Sequence, residues 1–545
     1  MKNVIVIFLA CLSFSLLGAE TDGNIYWIQL KTKAGTPFVN EQPQFYLSQR
    51  AIERRMKHGI EIDSTDLPVT PLFIDSLSSL GFNIKHTSRW MNGLIATYND
   101  SFDIYSLKLP SFVSFIELRK STPLKSELLN QQNKFEETDS LTENYYGNAT
   151  DQITMLNGQL LHHYSKGKGV QIAVLDAGFL HANSLEVFDS LYARSGVLGT
   201  RDFVSPGNNV YNEDSHGTQV LSTMAANIPG KLVGTAPDAS YWLLRSEDNV
   251  NNAEWPVEED YWVVAAEFAD SAGCDLISTS LGYAIKFTDT IFNHTQEEFT
   301  GDSLRISKAA NLAVKKGMVV VCSAGNYGND STWKYICAPS EAREVLSIAA
   351  VNNQHEIAGF SSRGFGTNAK VPKPDVAAMG AGTSLIYASG QYGINNGTSF
   401  SAPIIAGMAA CLIAAFPDSS ATSIIDMIRK AGNLYPQHND SLGYGIPDFG
   451  KYIDKIVVHK NEFSDNNLIT FYPNPFDNLL YYSGKQEIES LEIFSFDGHK
   501  VFSVRKIDPE IHGKALIQTI NLPKGIYFAI ARSQKSMQTF KLIKQ

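Results

Sequence analysis

The chain has 545 residues, 43% of them hydrophobic and 19% charged, which is long enough for several domains and ordinary enough to be globular. Its formal net charge of -11 at pH 7 gives no electrostatic reason to expect a nucleic-acid partner. The composition suits a soluble, secreted protein.

Residues 1–19 have the pattern of a secretory signal peptide. Lys2 precedes an apolar core at 4–17, and Gly18-Ala19 precede Glu20. A buried terminal strand is the alternative. No later stretch reaches the roughly 18 to 20 unbroken apolar residues of a membrane span, so we expect a mature protein that does not span a membrane.

The next hundred residues, 20–119, form a separate unit. Alternating and apolar patterns predict two helices and four strands in it. The helices are expected at 44–56 and 71–80, and the strands at 26–30, 82–86, 94–98 and 113–118. This mixture predicts a small α/β sandwich of ferredoxin-like type. Residues 120–144 are polar and charged, which predicts an exposed linker.

Two segments further on place polar residues at the ends of buried elements. The run 170–175 is apolar and rich in β-branched residues, which predicts a buried parallel strand that ends at Asp176. His216 opens a segment whose apolar run, 220–228, predicts a helix. Because chemistry in open α/β sheets gathers beyond the carboxyl ends of the strands, we expect both side chains there.

A third segment contains a candidate nucleophile. The apolar run 404–416 predicts a buried helix, with Pro403 tolerated in its first turn and Ser399 at or near its N-terminus. The helix dipole there favours the negative charge that develops when a hydroxyl attacks a carbonyl. A capping serine is the alternative interpretation of this segment alone.

Six motifs resemble those of the subtilisin-like serine proteases in the same order. They are VLDAG at 174–178, HGT at 216–218, STSLG at 278–282, SAGN at 323–326, FSSRG at 360–364 and GTSFSAP at 397–403. The chain order Asp, His, Ser is that of subtilisin, from which this template is taken. The resemblance implies a subtilisin-like parallel sheet with helices on both faces, which we assign to residues 145–455.

The resemblance also implies roles for single residues. Ser399 would be the nucleophile, His216 the general base and acid, and Asp176 the group that holds the imidazole in the useful tautomer. Asn326 would donate to the oxyanion together with the backbone N–H of Ser399. Two departures, Ala177 in place of a hydroxyl residue and Gln219 in place of histidine, replace no proton-transferring group.

Substrate binding is implied by the same resemblance. A peptide is expected to lie as an added strand beside Ser280, Leu281 and Gly282. The walls of the primary pocket are expected from Ser323, Ala324 and Gly325 and from the segment 336–339. Neither wall contains an acidic residue, which favours uncharged substrate side chains.

The chemistry is expected to require no cofactor. Carboxylates in the polar stretches 202–214 and 248–261 are expected to be solvated surface charge, with a structural calcium ion, found in many relatives, as the alternative. Four cysteines follow the signal peptide, and Cys322–Cys337 is the favoured disulfide against an equal alternative of buried free thiols.

The flanking units also resemble known modules. The position of 20–119 before a protease resembles an inhibitory pro-domain, with maturation cleavage expected in the linker; an independent binding domain is the alternative. Residues 456–545 contain short strands with turn signals, which predict a small all-β sandwich. YPNPF, GIY and a Lys-rich end resemble a type IX secretion sorting domain, with a carbohydrate- or protein-binding module as the alternative.

The sequence therefore predicts a secreted serine endopeptidase, extracellular or at the cell surface. Its expected partners are a peptide or protein substrate, its own pro-domain as an intramolecular inhibitor, and the secretion machinery. The alternative of a different class is a catalytically inactive subtilisin fold that acts as a surface binding or adhesion protein. A narrow processing role rather than a degradative one also remains open.

Overall fold

A computed structural model describes the chain in two compact units, Met1–Gly450 and Lys451–Gln545. The described residues are 23–98, 104–121, 145–205, 207–249, 253–365 and 371–456, followed by 470–472, 474, 476, 479–483, 488–495, 499–507, 515–518, 522–532 and 537–544. The predicted signal peptide and nearly all of the predicted linker lie outside these residues.

The first unit begins with a four-stranded antiparallel sheet in the order β2-β3-β1-β4. Its strands are β1 (Ile25–Leu30), β2 (Phe82–Ser88), β3 (Gly93–Tyr98) and β4 (Val113–Lys120), and its helices are α1 (Gln49–Lys57) and α2 (Pro71–Ser79). Both helices precede β2, and a 3₁₀ turn at Ile104–Ser106 precedes β4. The predicted helix at 44–56 begins later, at Gln49, where Ser48 caps it by accepting from Ala51 N.

A seven-stranded parallel sheet forms the centre of this unit, in the order β13-β12-β11-β10-β5-β9-β6. Its strands are β5 (Gln171–Asp176), β6 (Val197–Asp202), β9 (Ser240–Arg245), β10 (Leu276–Thr279), β11 (Val319–Ser323), β12 (Leu346–Val351) and β13 (Val376–Met379). Two small antiparallel pairs lie beside it: β7 (Asn227–Ile228) with β8 (Leu232–Val233), and β14 (Thr383–Ile386) with β15 (Tyr392–Asn395).

Helices cover this sheet, which explains why its central strands are apolar and buried throughout. They are α3 (Thr150–Thr154), α4 (Gly158–His162), α5 (Asp189–Ala193), α6 (His216–Ala225), α7 (Val257–Ala272), α8 (Arg305–Lys315), α9 (Thr398–Ala415) and α10 (Ala421–Ala431). The predicted fold class is confirmed. The helix predicted across 220–228 instead ends at Ala225, and β7 follows it.

Helix α9 is the core helix that the all-apolar run predicts. Among the described residues it alone is long and apolar enough to cross a membrane, but 83% of its window is buried inside the protein, as in the core helix of a soluble domain. Pro403 is its sixth residue, so the prediction that it lies in the first turn is wrong. Proline has no N–H for the carbonyl of Ser399, and that carbonyl accepts instead from Ser280 Oγ at 2.7 Å.

The N-terminal domain packs on α7 through buried charges. Asp270 of α7 accepts from the guanidinium groups of Arg54, Arg55 and Arg89. One turn earlier, Glu267 accepts from the Arg89 N–H at 2.8 Å. A buried charge is costly unless it is paired, so these acids and arginines neutralise each other only when the domain is docked.

A second charged cluster lies at the start of the same helix. Arg119, at the end of β4, donates to Glu259 Oε2 at 2.7 Å and to Asp260 Oδ2 at 2.8 Å. Arg305 of α8 joins this cluster by donating to Asp260 Oδ1 at 2.6 Å and to Glu117 Oε2 at 2.7 Å. The interface is therefore ionic along much of α7.

The second unit is all-β, as predicted. It has two antiparallel sheets, β16-β17-β20 and β19-β18-β21-β22, around their own apolar core. Its strands are β16 (Thr470–Tyr472), β17 (Leu479–Ser483), β18 (Ile488–Ser495), β19 (Lys500–Ile507), β20 (Ala515–Gln518), β21 (Gly525–Arg532) and β22 (Met537–Lys544). A strand at β19 is not predicted from the sequence, because charged residues interrupt its alternation.

Candidate active site

Three polar side chains from separate elements meet at the carboxyl edge of the parallel sheet. Asp176 is the last residue of β5, His216 the first residue of α6 and Ser399 the second residue of α9. Parallel strands direct their carboxyl ends to one edge of the sheet, and β5 is one of the inner strands. His216 and Ser399 line one cavity there.

Asp176 is fully buried and holds the histidine ring. His216 Nδ1 lies 2.7 Å from Asp176 Oδ1, which also accepts from the Ala177 N–H at 2.9 Å. The other carboxylate oxygen, Oδ2, has no hydrogen-bond partner among the described residues. Ala177, which stands where the related proteases usually have Ser or Thr, has no hydroxyl that could donate to Asp176 Oδ2.

The charge around His216 favours its protonated form. Burial alone would lower the pKa of His216, but the charge of Asp176 and its hydrogen bond outweigh burial and raise this pKa to about 9. The carboxylates of Asp214 and Glu247 contribute in the same direction. Asp214 Oδ1 also accepts from the His216 backbone N–H at 2.6 Å, which fixes the start of α6.

Ser399 lies at the N-terminal end of α9 and is 8% exposed. Its Oγ donates to the carbonyl of Ser280 at 3.3 Å, and the described residues show no hydrogen bond between Ser399 and His216. A rotation about χ1 is all that is needed to redirect a serine hydroxyl, and catalytic hydrogen bonds are often absent before substrate binds. Ser280 therefore fixes both the hydroxyl and the carbonyl of Ser399.

Asn326, three residues beyond β11, presents its amide to the same cavity. Its Oδ1 accepts from the Thr398 N–H at 2.9 Å and from Thr398 Oγ1 at 3.0 Å. Since a backbone N–H can only donate, this contact fixes which end of the amide is oxygen, and Nδ2 is left for the cavity. Thr398 Oγ1 also accepts from the Gly325 N–H at 3.1 Å, so one threonine orients the whole segment.

Most of the predicted substrate-binding residues line this cavity, whose volume is about 320 Å³. Ser280, Leu281, Gly282, Ser323 and Gly325 are among its walls. Ala324 is buried behind them and does not line it; its carbonyl accepts from the Cys337 N–H at 3.2 Å. Of the predicted wall 336–339, only Cys337 reaches the cavity.

Glycine is required at position 325 both by the backbone conformation and by the lack of space for a side chain. Its φ is +104°, a conformation that other residues adopt only with strain, and a Cβ there would lie 2.8 Å from the Cys337 sulfur. Cys274, Cys322, Cys337 and Cys411 are all buried free thiols. The favoured Cys322–Cys337 disulfide is therefore not formed.

Four residues of the site were missed by sequence reasoning: Thr398, Tyr283, Glu247 and Glu254. Thr398 lies within the recognised motif 397–403 and Tyr283 directly follows the motif 278–282, so attention to every position in and beside the motifs would have found them. Glu247 stands two residues beyond β9, and the strand-end rule that located Asp176 applies to it equally. Glu254 carries no comparable signal. Among the described residues, no group of three or more His, Cys, Asp or Glu side chains could hold a metal ion.

Comparison with known proteins gives three family matches in chain order. The Peptidase S8 propeptide domain of Bacteroidota matches residues 25–137, the Subtilase family (Peptidase S8) matches 167–445, and the Secretion system C-terminal sorting domain matches 470–545. These matches confirm the three resemblances that the sequence motifs indicate.

Two curated relatives, both subtilisins, agree with the Subtilase match. Subtilisin E of Bacillus subtilis is 26% identical over 360 residues, which cover 65% of this chain and 79% of that protein. Subtilisin DY of Bacillus licheniformis is 30% identical over 285 residues, covering 51% and 88%. Among solved structures, MycP1 from Mycobacterium smegmatis is 22% identical over 58% of this chain and 88% of that chain, with a TM-score of 0.44.

The parallel sheet flanked by helices and the Subtilase match define a serine protease with an α/β fold. The chain belongs to the subtilase family. It is a serine-type endopeptidase with a propeptide domain before the catalytic domain. Its C-terminal sorting domain indicates type IX secretion to the extracellular space or the cell surface.

Proposed function

We propose that Ser399, His216 and Asp176 form the catalytic triad of this endopeptidase and that peptide bonds are hydrolysed through an acyl-enzyme on Ser399. The observation that carries the proposal is the 2.7 Å contact between His216 and Asp176, with the His216 ring and Ser399 on the wall of one cavity. This arrangement leaves the ring nitrogen Nε2 of His216 for the serine proton.

The first step is attack by Ser399 Oγ on the substrate carbonyl while His216 Nε2 takes the hydroxyl proton. Asp176 keeps the ring in the correct tautomer and stabilises the imidazolium ion, the roles worked out for the serine protease triad. The proton then passes to the leaving amine, whose departure leaves an acyl group on Ser399. A water molecule, activated by the same histidine, hydrolyses the ester.

The negative charge that develops on the carbonyl oxygen requires donors. Asn326 Nδ2 and the backbone N–H of Ser399 supply them, and Thr398 holds the asparagine amide in position. The substrate backbone is proposed to lie beside Ser280, Leu281 and Gly282 as an added strand. All groups that this chemistry needs come from the chain, so no cofactor takes part; a structural calcium ion would be compatible with it.

The N-terminal domain is proposed to act as an intramolecular inhibitor. It packs on α7, and Lys120, at the end of its last strand, reaches Asp248 at 3.5 Å beside the cavity residue Glu247. Cleavage within 120–144 would release it, and the mature catalytic domain would run from 145 to 455. The alternative of an inactive binding protein is not favoured, since every proton-transferring group is present.

A fluorophosphonate probe tests the nucleophile directly. Secreted, matured protein should be labelled at Ser399, and the Ser399→Ala variant should neither be labelled nor shed its N-terminal domain. Ser401→Ala is the matched control, because Ser401 is fully buried and donates to the Thr398 carbonyl. Labelling at any other serine in a matured chain, or maturation of the Ser399→Ala variant without added protease, would contradict the proposal.

A further inference from the structure

The cavity beside Ser399 has one acidic wall. Glu247 and Glu254 both line it, whereas the two expected pocket walls contribute no charged side chain. Glu247 follows β9, and Glu254 precedes α7 by three residues. The expectation of uncharged substrate side chains was based on 323–326 and 336–339, which contain no acid, whereas the acids of the cavity come from two other segments.

Neither carboxyl group forms an ion pair with a described residue, although the charges of His216 and Lys286 act to lower the pKa of Glu247 and of Glu254, respectively. Glu247 Oε2 accepts a hydrogen bond from the Tyr283 hydroxyl at 3.0 Å and forms no ion pair there. The Glu254 carboxyl accepts no hydrogen bond from any described residue. The nearest lysine in the wall, Lys286, is 60% exposed and pairs with Asp330 at 3.1 Å.

The two acids are held on a fixed frame. The backbone of Glu254 is paired with Thr288, whose Oγ1 accepts from the Glu254 N–H and whose own N–H donates to the Glu254 carbonyl, both at 2.9 Å. Behind them, Glu258 accepts from the Asp248 N–H at 3.0 Å and from the Trp255 N–H at 2.8 Å. One buried carboxylate thus ties together the two segments that present the acids.

The positive charge near this wall does not offset the effect of burial on its two acids. Burial, followed by the negative charge of Glu247, raises the pKa of Glu254 to about 9. Burial also raises the pKa of Glu247 to about 7, against the opposing hydrogen bond from Tyr283. A cation placed close to both carboxyl groups would favour both ionised forms and give each glutamate the ion pair that it does not form with a described residue.

The remaining walls suit the stem of such a side chain. A Cβ at Gly282 would lie 2.2 Å from the Cys337 sulfur, and one at Gly325 would lie 2.8 Å from it, so these walls are bare backbone over a thiol. Bare backbone and an uncharged thiol make a narrow surface that an unbranched methylene chain can follow. Lysine and arginine combine such a stem with a cationic head.

We propose that this cavity takes a lysine or arginine side chain of the substrate and that Glu247 and Glu254 are its charge partners. The inference rests on the proposed function, since it assigns a substrate class to the same site. The enzyme is therefore selective for peptides with a basic residue close to the scissile bond.

Matched peptides test this inference. An uncharged, internally quenched peptide carries lysine at each of four positions before the scissile bond in turn, and norleucine, which has a comparable stem without the charge, replaces it in the reference set. With the matured enzyme at pH 8, lysine at one position is expected to raise kcat/KM at least roughly tenfold over norleucine, which corresponds to about 1.4 kcal/mol.

Isosteric variants assign the selectivity to the two acids. Glu254→Gln and Glu247→Gln should each lower the lysine-to-norleucine ratio about tenfold, the order expected for one well-placed charge pair. Both substrates pass through the same chemistry, so this ratio cancels any effect of Glu247 on His216. Glu297→Gln removes the same charge from an exposed position outside the cavity and should keep the wild-type ratio.

Failure of this inference can be distinguished from failure of the proposed function. If Ser399 is labelled by the fluorophosphonate and norleucine peptides are cleaved as well as lysine peptides at all four positions, the specificity is overturned and the triad stands. The specificity is also overturned if the preference for lysine survives in both glutamine variants. If Ser399 is not labelled and no peptide is cleaved by the matured chain, the proposed function falls, and the specificity falls with it.

Discussion

Arg55 of the N-terminal domain donates to both carboxylate oxygens of Asp270 on α7, at 2.9 and 2.8 Å, and both side chains are almost completely buried. Arg54 and Arg89 reach the same carboxylate. Three guanidinium groups of the propeptide domain therefore share one acid of the catalytic domain. The propeptide is therefore held by paired buried charge.

Asp270→Asn should loosen this interface. Removing one partner of a buried ion pair costs about 3–5 kcal/mol because it leaves charge unpaired in the interior. In a Ser399→Ala background, which keeps the propeptide attached, we expect trypsin to digest the propeptide domain roughly 100-fold faster than in the parent. Digestion rates of the two precursors, followed by mass spectrometry, measure this effect.

Arg50→Gln is the control for that experiment. Arg50 pairs with Asp275 at the edge of the same interface but is 39% exposed, and exposed pairs contribute about 0–1 kcal/mol. Its digestion rate should change by less than roughly fivefold. Equal effects of the two substitutions would show that the buried cluster stabilises the interface no more than an exposed ion pair does.

Substitution of Asn326 should lower kcat more than substitution of Thr398, which orients the Asn326 amide. For subtilisin itself, removal of the corresponding donor costs roughly 10²–10³-fold in kcat, and we expect a loss of the same order for Asn326→Ala. Thr398→Val keeps the N–H that holds Asn326 Oδ1 and loses only the hydroxyl contacts, so a loss of about tenfold is expected. Steady-state kinetics on one peptide measure both variants.

KM provides the check on that interpretation. A donor that acts only on the developing oxyanion changes kcat and leaves KM nearly constant. If Asn326→Ala instead raised KM with kcat intact, Asn326 would bind the ground state and the oxyanion role would be wrong. Thr398→Ser, which keeps the hydroxyl, should restore most of the activity lost in Thr398→Val.

Much of this site could be predicted because its signals are local. Asp176 ends an apolar β-branched run, and Ser399 begins an apolar helix, so short windows of sequence locate each residue and the order of motifs joins them. The outline of both flanking domains follows from strand alternation in the same way. The position of Pro403 was wrong because helix starts are set by capping geometry, which a run of apolar residues does not reveal.

The role of Glu254 in the cavity wall and the ionic interface could not be predicted, because their contacts are not local in sequence. Glu254 is far in sequence from Ser399, which lines the same cavity, and Arg119 is far from Asp260, which accepts its hydrogen bond. Charged residues in a sequence indicate solvated surface by default, since burial of charge is rare without a partner. Only the docking of the propeptide on α7 shows that Arg119 and Asp260 are interior and paired.

The pH dependence of the enzyme should reflect the raised pKa of His216. Below this pKa the ring is protonated and cannot accept the serine proton, so kcat/KM should fall as the pH falls. Since the pKa is raised to about 9, we expect the acid limb of the profile well above the value near 6.5 of an unperturbed histidine. Measurement of kcat/KM from pH 6 to pH 10 on an uncharged peptide determines the pKa of this acid limb.

Asp214→Asn tests the origin of that shift. The Asp214 carboxylate favours the protonated ring, so its removal should move the acid limb to lower pH. Asp189→Asn removes an equal charge from an exposed position on α5 and should leave the limb in place. An acid limb near 6.5 in the parent enzyme would show that neighbouring carboxylates do not control this histidine.

Deletion of 470–545 should separate secretion from catalysis. This segment matches the sorting domain and closes its own apolar core around residues such as Phe476, Leu480 and Leu491, while the parallel sheet and the cavity belong to the other unit. In a host with a type IX system, the truncated protein should remain with the cells and the full chain should reach the surface or the medium. Fluorophosphonate labelling of lysed cells should then find Ser399 as reactive in the truncated protein as in the full chain. A truncated protein that is secreted normally would contradict the sorting role, whereas loss of labelling in soluble truncated protein would show that the β-domain supports the catalytic fold.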